Sequence, residues 1–417
     1  MKKTFVAALI AATTLSFGLP AEAKTLEEIL RDKGIISAED YQEAVKKNDL
    51  AYYRPGRGIT VESRDGNYTA HLGGRLQVRY TYTDKDEPGA ENSSNFNIQR
   101  MRVSMRGNVY NPNLYYQWQH DFGGGGGSSL KDAVLGYKFM DELSLQAGQF
   151  KAPTSRQQLT SSGSQMFVDR SLADGFFNLG RDRGILAKGA FSDNLVEYMA
   201  GVFNGNGENR SNPENNHLWA LRVDINPLGR FAMDEPSFNE TKPLLNLGAS
   251  IATTSLSAAD RNSVNSGLLS NGVNVNNIYR MDDDGNLINF TNSNDVDVWT
   301  ATLNAHFKWM GLSTAAEYYF ANIDPDGASD WDADGYYLQA GYQIVPETFE
   351  LALRYSAVDS TDAQALTKFD QNQFQIAAGY YYKKHRAKIQ ADYTIHKDDL
   401  RDNRDDNILR LQAQVIF

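Results

Sequence analysis

The stretch Ile408-Leu-Arg-Leu-Gln-Ala-Gln-Val-Ile-Phe417 decides the fold. Alternate residues of a strand point to opposite faces, so Leu409, Leu411, Ala413, Val415 and Phe417 share one side while Arg410, Gln412 and Gln414 share the other. The first side suits hydrocarbon and the second suits water. About ten such residues are enough for a tilted strand to cross a bilayer, where lipid leaves no backbone group unpaired, so strands of this kind must close into a barrel. The stretch therefore predicts the last strand of a closed outer-membrane barrel, with Phe417 at its periplasmic rim.

The other end of the chain addresses it to that compartment. Met1-Lys-Lys is a positive n-region, Phe5 to Leu19 a mostly apolar h-region, and Ala21-Glu22-Ala23 an A-x-A cleavage signal, so residues 1–23 read as a signal peptide and Lys24 as the mature N-terminus. Beyond it no apolar run approaches the roughly 18 residues of a membrane-spanning helix. The 417 residues include no cysteine, which excludes thiol catalysis and zinc–thiolate sites. A chain of this length folds without disulfides. The net charge of −11 argues against nucleic acid as a partner. Acid gathers in the expected loops, at Asp282-Asp-Asp284, Asp324 to Asp334 and Asp398 to Asp406, whereas arginine gathers in particular strands.

Between the ends the pattern repeats. From Thr25 to about Lys47, the spacing of Leu26, Ile29, Leu30, Ile35, Ile36, Tyr41 and Val45 predicts two short helical turns around Gly34, with Ser37 and Asp40 as an N-cap box. Residues 24–57 read as a periplasmic helical lead-in and 58–417 as the barrel, opening with a short hairpin that turns at Asp65-Gly66. Alternating segments follow at about 68–83, 96–110, 113–122, 130–139, 143–151, 182–192, 194–204, 216–227, 243–255, 294–309, 311–321, 333–345, 348–358, 371–384, 386–397 and 406–417. They number about sixteen, an even count that suits a bacterial barrel. Asn111-Pro112, Met140-Asp141, Gly311, Pro346 and Lys384-His385 mark tight turns, whereas 84–95, 152–181, 256–293, 322–332 and 398–405 are long. Short periplasmic turns and long external loops put both barrel ends in the periplasm. One connection breaks the parity: 228–242 should be a tight turn and is not. Aromatic groups near strand ends, at Tyr80 and Tyr82, Tyr318-Tyr-Phe320, Tyr336-Tyr337 and Tyr380-Tyr-Tyr382, suit interfacial belts that a soluble β-sandwich does not need. The fold class is all-β, a sixteen-stranded antiparallel transmembrane β-barrel with a short N-terminal helical segment.

The inner face follows from the same alternation. In 96–110, Met101, Val103, Met105, Gly107 and Val109 form an apolar side, and Arg100, Arg102, Ser104, Arg106 and Asn108 the opposite one, so arginines climb the inner wall at about 3.3 Å per residue. The preceding segment repeats this, with Leu72, Leu76, Val78, Tyr80 and Tyr82 outward and His71, Arg75, Gln77, Arg79 and Thr81 inward. The rule also turns Lys188, Arg222, Lys308, Arg354, Arg386, Lys388 and Arg410 inward, opposed by Asp224, Glu317, Glu350 and Asp392. Any water-filled barrel tolerates charge inside, and general diffusion pores also carry basic clusters facing acidic loops. Ladders of Arg and Lys additionally select for anions, because the guanidinium fork fits an oxyanion.

Gln146-Ala-Gly-Gln-Phe-Lys-Ala-Pro153, Leu159-Thr-Ser-Ser162 and Phe167-Val-Asp-Arg-Ser171, with Asp132-Ala-Val-Leu-Gly-Tyr137 and the Arg-rich strand at 98–106, give the chain a likeness beyond its periodicity. In their order and spacing these motifs resemble the phosphate-selective porin O/P family, over roughly residues 58–417. The resemblance implies a homotrimer of barrels that admits anions through a basic pore, with the third external loop folded inward. Loop 152–181 would be that constriction, with Lys151 at its entry, Arg156 and Arg170 on it, and Arg100, Arg102 and Arg106 on the wall beside it. The whole expected anion path is Arg75, Arg79, Arg100, Arg102, Arg106, Lys151, Arg156, Arg170, Lys188, Arg354, Lys388 and Arg410. Expected partners are small anions such as phosphate, outer-membrane lipid and lipopolysaccharide, with no cofactor. Gln157-Gln158 stand where family members often carry acids, which leaves open a broader anion range or a general diffusion porin of low selectivity.

Other motifs carry less. Gly123 to Gly127 and Ser128-Ser-Leu-Lys131 lack the Gly-Lys-Ser/Thr ending of a phosphate-binding loop and read as an external loop. Asp330-Trp-Asp-Ala-Asp-Gly335 matches the first half of a calcium loop, but Gly341 stands where the bidentate glutamate belongs, so no metal site is expected. The six histidines are scattered and no Gly-x-Ser-x-Gly is present, so no catalytic constellation is expected. A purely structural barrel would differ by a plugged lumen and no conductance.

Overall fold

The computed structural model describes residues 26–41, 51–86, 89–124, 127–212, 215–256, 280–281, 287–288, 295–326, 330–360, 369–400 and 404–417. The signal peptide expected at 1–23 and the acids Asp282 to Asp284 lie outside the described residues. Two units are distinguished, Met1–Tyr52 and Tyr53–Phe417. In the first, helix α1 (Leu26–Asp32) ends where Gly34 takes φ +67° and the Ile35 N–H returns to the Leu30 carbonyl at 2.9 Å. The cap expected at Ser37 forms reciprocally: Ser37 N–H donates to Asp40 Oδ2 (3.2 Å) and Asp40 N–H to Ser37 Oγ (3.0 Å).

The second unit is a closed antiparallel barrel of sixteen strands. They are β1 (Thr69–Asp84), β2 (Ser93–Asn108), β3 (Leu114–Asp121), β4 (Ser129–Met140), β5 (Leu143–Lys151), β6 (Arg181–Phe191), β7 (Val196–Phe203), β8 (Leu218–Ile225), β9 (Leu244–Leu256), β10 (Val296–Trp309), β11 (Leu312–Pro325), β12 (Trp331–Val345), β13 (Phe349–Asp359), β14 (Asp370–Tyr381), β15 (Ala387–Asp398) and β16 (Arg404–Ile416). Each pairs with its chain neighbours, and β16 pairs with β1, placing Leu409 opposite Tyr82 and Gln412 opposite Arg79. At Gly73-Gly74 the strand β1 changes partner: residues 75–84 face β16, while 69–72 face the short strand Gly58–Glu62 across the hairpin at Asp65-Gly66. The handover needs glycine. Gly74 N–H donates to the Phe417 carbonyl at 2.7 Å, and a Cβ on Gly74 would lie 2.6 Å from the Phe417 ring.

The alternation read from the last strand is the one observed, with Leu409, Leu411, Val415 and Phe417 exposed outward and Arg410, Gln412 and Gln414 buried inside. A bulge shifts the register between Gln77 and Val78, where Gln77 faces Arg100 and Val78 faces Ile98, so inward positions change from odd to even along β2. Exposed aromatics form a rim at each end, exemplified by the Tyr80–Phe96 and Trp299–Phe320 pairs (4.7 and 4.9 Å between centroids) and by the Phe191–Tyr198 pair at the other end (5.7 Å). Tyr319, Tyr337 and Tyr381, grouped with those belts by sequence proximity, instead point inward and are buried, as period two demands of the residue beside an outward one. Asp330 directly precedes β12 and Trp331–Gly335 open it, with Asp332 exposed and Trp331, Ala333 and Gly335 buried, in the alternation of a strand.

Candidate functional site

The interior is built by residues 152–180, between β5 and β6. They carry two short helices, α2 (Arg156–Leu159) capped by Ser155 and α3 (Leu172–Phe177) capped by Ser171, each cap oxygen accepting an N–H three residues on at 3.0 Å. The segment runs against inward-facing side chains from β8 round to β1. Arg222 donates to the Thr154 carbonyl (2.6 Å), Glu317 accepts from the backbone N–H groups of Arg156 and Gln157 (3.1 and 2.6 Å), and Lys388 donates to the Gln165 carbonyl (2.8 Å). Gln414 reaches the Gly163 carbonyl (2.9 Å), and Arg75 reaches Ser161 and Ser162 (3.1 and 3.0 Å). Nearer the long-loop end the contact is apolar. Ala173, Phe177 and Leu179 pack with inward-facing Ala252, Val298, Ala321, Ile323, Trp331 and Val358. At that end the arc from β9 to β13 closes on packed apolar side chains.

A second segment enters from the opposite end. Residues 226–243, the connection too long for its place in the turn parity, fold inward and meet the loop. Glu235 accepts from Met166 N–H (2.8 Å) and Gln157 Nε2 (3.2 Å), and its own N–H donates to the Ser164 carbonyl (3.0 Å). Asp234 pairs with Lys308, and Phe231 receives the cations of Arg156 and Lys308 at 5.1 and 5.0 Å from its ring centroid. Glu235 escaped the sequence reading; the anomalous length of 228–242 was the signal that could have found it.

The expected cations divide into two groups. Arg156, Arg354 and Lys388 are 1%, 1% and 3% exposed and are bonded to their surroundings: Arg156 to Asp224 (3.3 Å), Arg354 through Nε and Nη2 to Gln375 and to the Asp169 and Arg170 carbonyls, Lys388 to Gln165. Arg79 and Arg410, also buried, share Asp169 at 2.7 and 3.0 Å. Burial alone would raise the Asp169 carboxyl, but Arg79, Arg410 and Arg100 around it hold it well below the usual carboxylate range. Arg75 lies at the edge of this group, buried against the loop serines. Arg100, Arg102, Lys151, Arg170 and Lys188 are only partly buried, and Arg106 is exposed on the same face. Arg100 bonds Gln77 (3.0 Å) and Arg102 bonds Asp121 (2.6 Å); Lys151 and Arg170 both donate to the Thr160 carbonyl (3.2 and 3.0 Å). Arg75, Arg100, Arg102, Lys151, Arg170 and Arg181 lie within electrostatic reach of one another, with Asp121 and Asp132 interleaved. Arg181, which pairs with Asp132 at 2.9 Å, belongs to this cluster although it was not among the expected path residues.

A barrel with aromatic rims outside, and with an infolded loop beside a wall of arginines inside, is an outer-membrane channel of the porin class. The chain belongs to the family described as phosphate-selective porin O and P, which it matches over residues 71–417. It is 23% identical over 306 residues to an uncharacterized protein of Aquifex aeolicus (strain VF5), covering 69% of this chain and 68% of that one. Its fold is similar to the outer membrane channel DcaP of Acinetobacter baumannii (TM-score 0.56, 15% identity, 85% of this chain and 99% of that one). It is also similar to an anion-selective porin from Comamonas acidovorans (0.55, 12%, 84% and 100%) and to the trimer form of OmpT of Vibrio cholerae (0.55, 13%, 84% and 99%). At these identities the likeness to solved structures is one of fold. Family and fold together make this a porin of the bacterial outer membrane.

Proposed function

We propose that the channel prefers anions and passes phosphate or other small oxyanions, with residues 152–181 as its constriction. The supporting observation is the cationic cluster of Arg100, Arg102, Lys151, Arg170 and Arg181 on the open side of the loop, flanked by Arg75. An oxyanion entering it exchanges water for several charge-assisted donors at once, and the cations stand within about a Debye length of any path through that half of the lumen. The path continues past Arg106 and Lys188. Arg79, Arg156, Arg354, Lys388 and Arg410 serve it indirectly, by fixing the loop. A general diffusion porin of low selectivity is the second reading, favoured by the acids woven into the same wall, at the Arg102–Asp121, Arg181–Asp132 and Lys131–Glu208 pairs. Assembly as a homotrimer is proposed from the family. The deciding experiment is the reversal potential in planar bilayers under a potassium chloride gradient, followed by titration with phosphate. Anion preference with saturable block supports the first reading, near-zero selectivity the second, and cation preference would sink both assignments of the arginine wall.

A further inference from the structure

Toward the turn-carrying end of β5 to β7 lies a cavity of about 680 Å³. One wall carries Lys188, Glu197 and Met199, and facing it are Arg230, Phe231 and Met233 of the infolded segment 226–243. The strand register fixes the wall residues as lumenal. Met199 lies opposite both Lys188 and Arg222, and Glu197 opposite Asp224, while Arg222 and Asp224 are bonded to the interior loop. Two features set this chamber apart from the constriction above it. Lys188, whose ammonium lies 5.7 Å from the Tyr115 ring centroid, and exposed Arg230 make no ion pair among the described residues. The same cavity is lined by two thioethers, and the buried Phe231 ring beside them is held by Arg156 and Lys308. A bare oxyanion gains nothing from a soft, polarizable strip, whereas an organic guest gains dispersion contacts and buried apolar area from it.

We propose that this cavity is a binding station for organic monocarboxylates with a compact apolar body, the carboxylate held by Lys188 and Arg230 and the body laid on the half-buried Met199 and Met233, which the buried Phe231 ring backs. The assignment rests on the anion-preferring reading of the channel. Glu197, on the same wall, disfavours a second carboxylate on the guest and so sets the preference for monoanions.

The probes are benzoate, acetate and inorganic phosphate, added to the full-length protein in planar bilayers. Benzoate blocks the open current at concentrations where acetate does not. The double variant Met199→Ser and Met233→Ser weakens benzoate block by about tenfold, the loss of roughly two buried methylenes' worth of contact, and leaves phosphate block unchanged. Lys188→Gln weakens benzoate block as well, and the unchanged reversal potential of the Met199→Ser, Met233→Ser channel certifies that the barrel is intact. Equal block by acetate and benzoate, or block by benzoate insensitive to the serine pair, overturns the station while leaving an anion-preferring channel standing. Cation preference of the parent channel overturns the reading beneath it.

Discussion

The arc from β2 to β7 and the arc from β9 to β13 obey the same alternation and enclose opposite interiors. On the first, inward positions carry Arg100, Arg102, Gln117 and Gln119, which meet other polar groups across the wall, and Lys188, whose ammonium lies over the Tyr115 ring; all five stay at least partly open. On the second they carry Val298, Ala321, Ile323, Trp331, Ala333 and Val358 near the long-loop end, and the 152–180 segment closes onto them. Period two says which side chains face in. It does not say whether inside is water or protein; the polarity of the inward set decides that, arc by arc.

The largest effect that tests this division comes from emptying the packed arc. Deleting 156–170 removes α2 and the loop carbonyls that Lys388, Gln390 and Gln414 bond, so single-channel conductance should rise by about twofold or more, as open area is added to the pore. An unchanged conductance would mean that the loop does not bound the conducting space. Smaller, and sharper, is a pair of arginine variants. Arg100→Ala with Arg102→Ala should weaken phosphate block by about tenfold or more and lower anion selectivity, because charge-assisted donors leave the open arc. Arg354→Met should keep selectivity within about twofold yet lower the thermal midpoint, because Gln375 and two loop carbonyls lose their shared donor. If the Arg354 variant changed selectivity as much as the double one, the two arcs would not be functionally distinct.

The smallest effect is a proton. Burial pushes the Asp174 carboxyl on α3 up to about 6, against the pull of Arg170 and the Ser155 hydroxyl. Its folded value lies above the ordinary value near 4, so proton uptake favours the packed loop: stability is gained as pH falls from about 6 toward 4 and lost as pH rises through about 6. Asp169, held low by its arginines, titrates below that window and does not compete. Open-channel current noise from the loop should therefore fall between pH 6 and pH 4, and Asp174→Asn should flatten that dependence; a slope retained in the Asn variant would assign it to another group.

Most of the barrel was legible in the chain because lipid enforces alternation on the outer face and leaves strand ends marked by turn residues. Met310 and Gly311, both at positive φ in a two-residue turn, are such a mark, and so is Pro346. The inner architecture was legible only in part. Arg100 and Arg102 face inward as period two requires, but Arg156 and Arg354 are consumed by Asp224 and by loop carbonyls, partners that lie 68 residues away in one case and 184 or 185 in the other. No local pattern encodes such distances. Glu317 illustrates the same limit: inward by parity, it became the acceptor for two backbone N–H groups of the loop and for the hydroxyls of Tyr319 and Tyr337 (3.0 Å each), tyrosines that sequence proximity had assigned to the membrane belts.

The carboxylate of Asp169 touches Arg79 on the first strand of the barrel and Arg410 on the last. Gly163 and Ser162 bridge the same two strands through Gln414 and Gln77. The loop is thus stitched across the one junction in the wall whose two sides are far apart in sequence, and it is synthesised between them. Arg79 stands opposite Gln412 and Arg410 opposite Thr81, so the two guanidiniums lie diagonally across this seam, and the loop's Asp169 is the carboxylate that reaches both. Arg410 also meets Asp392 on β15, whereas Asp169 is the one carboxylate that Arg79 meets among the described residues. A cylinder that closes around the loop therefore gives Arg79 its counter-charge, and loop and seam hold each other as a pin holds a clasp.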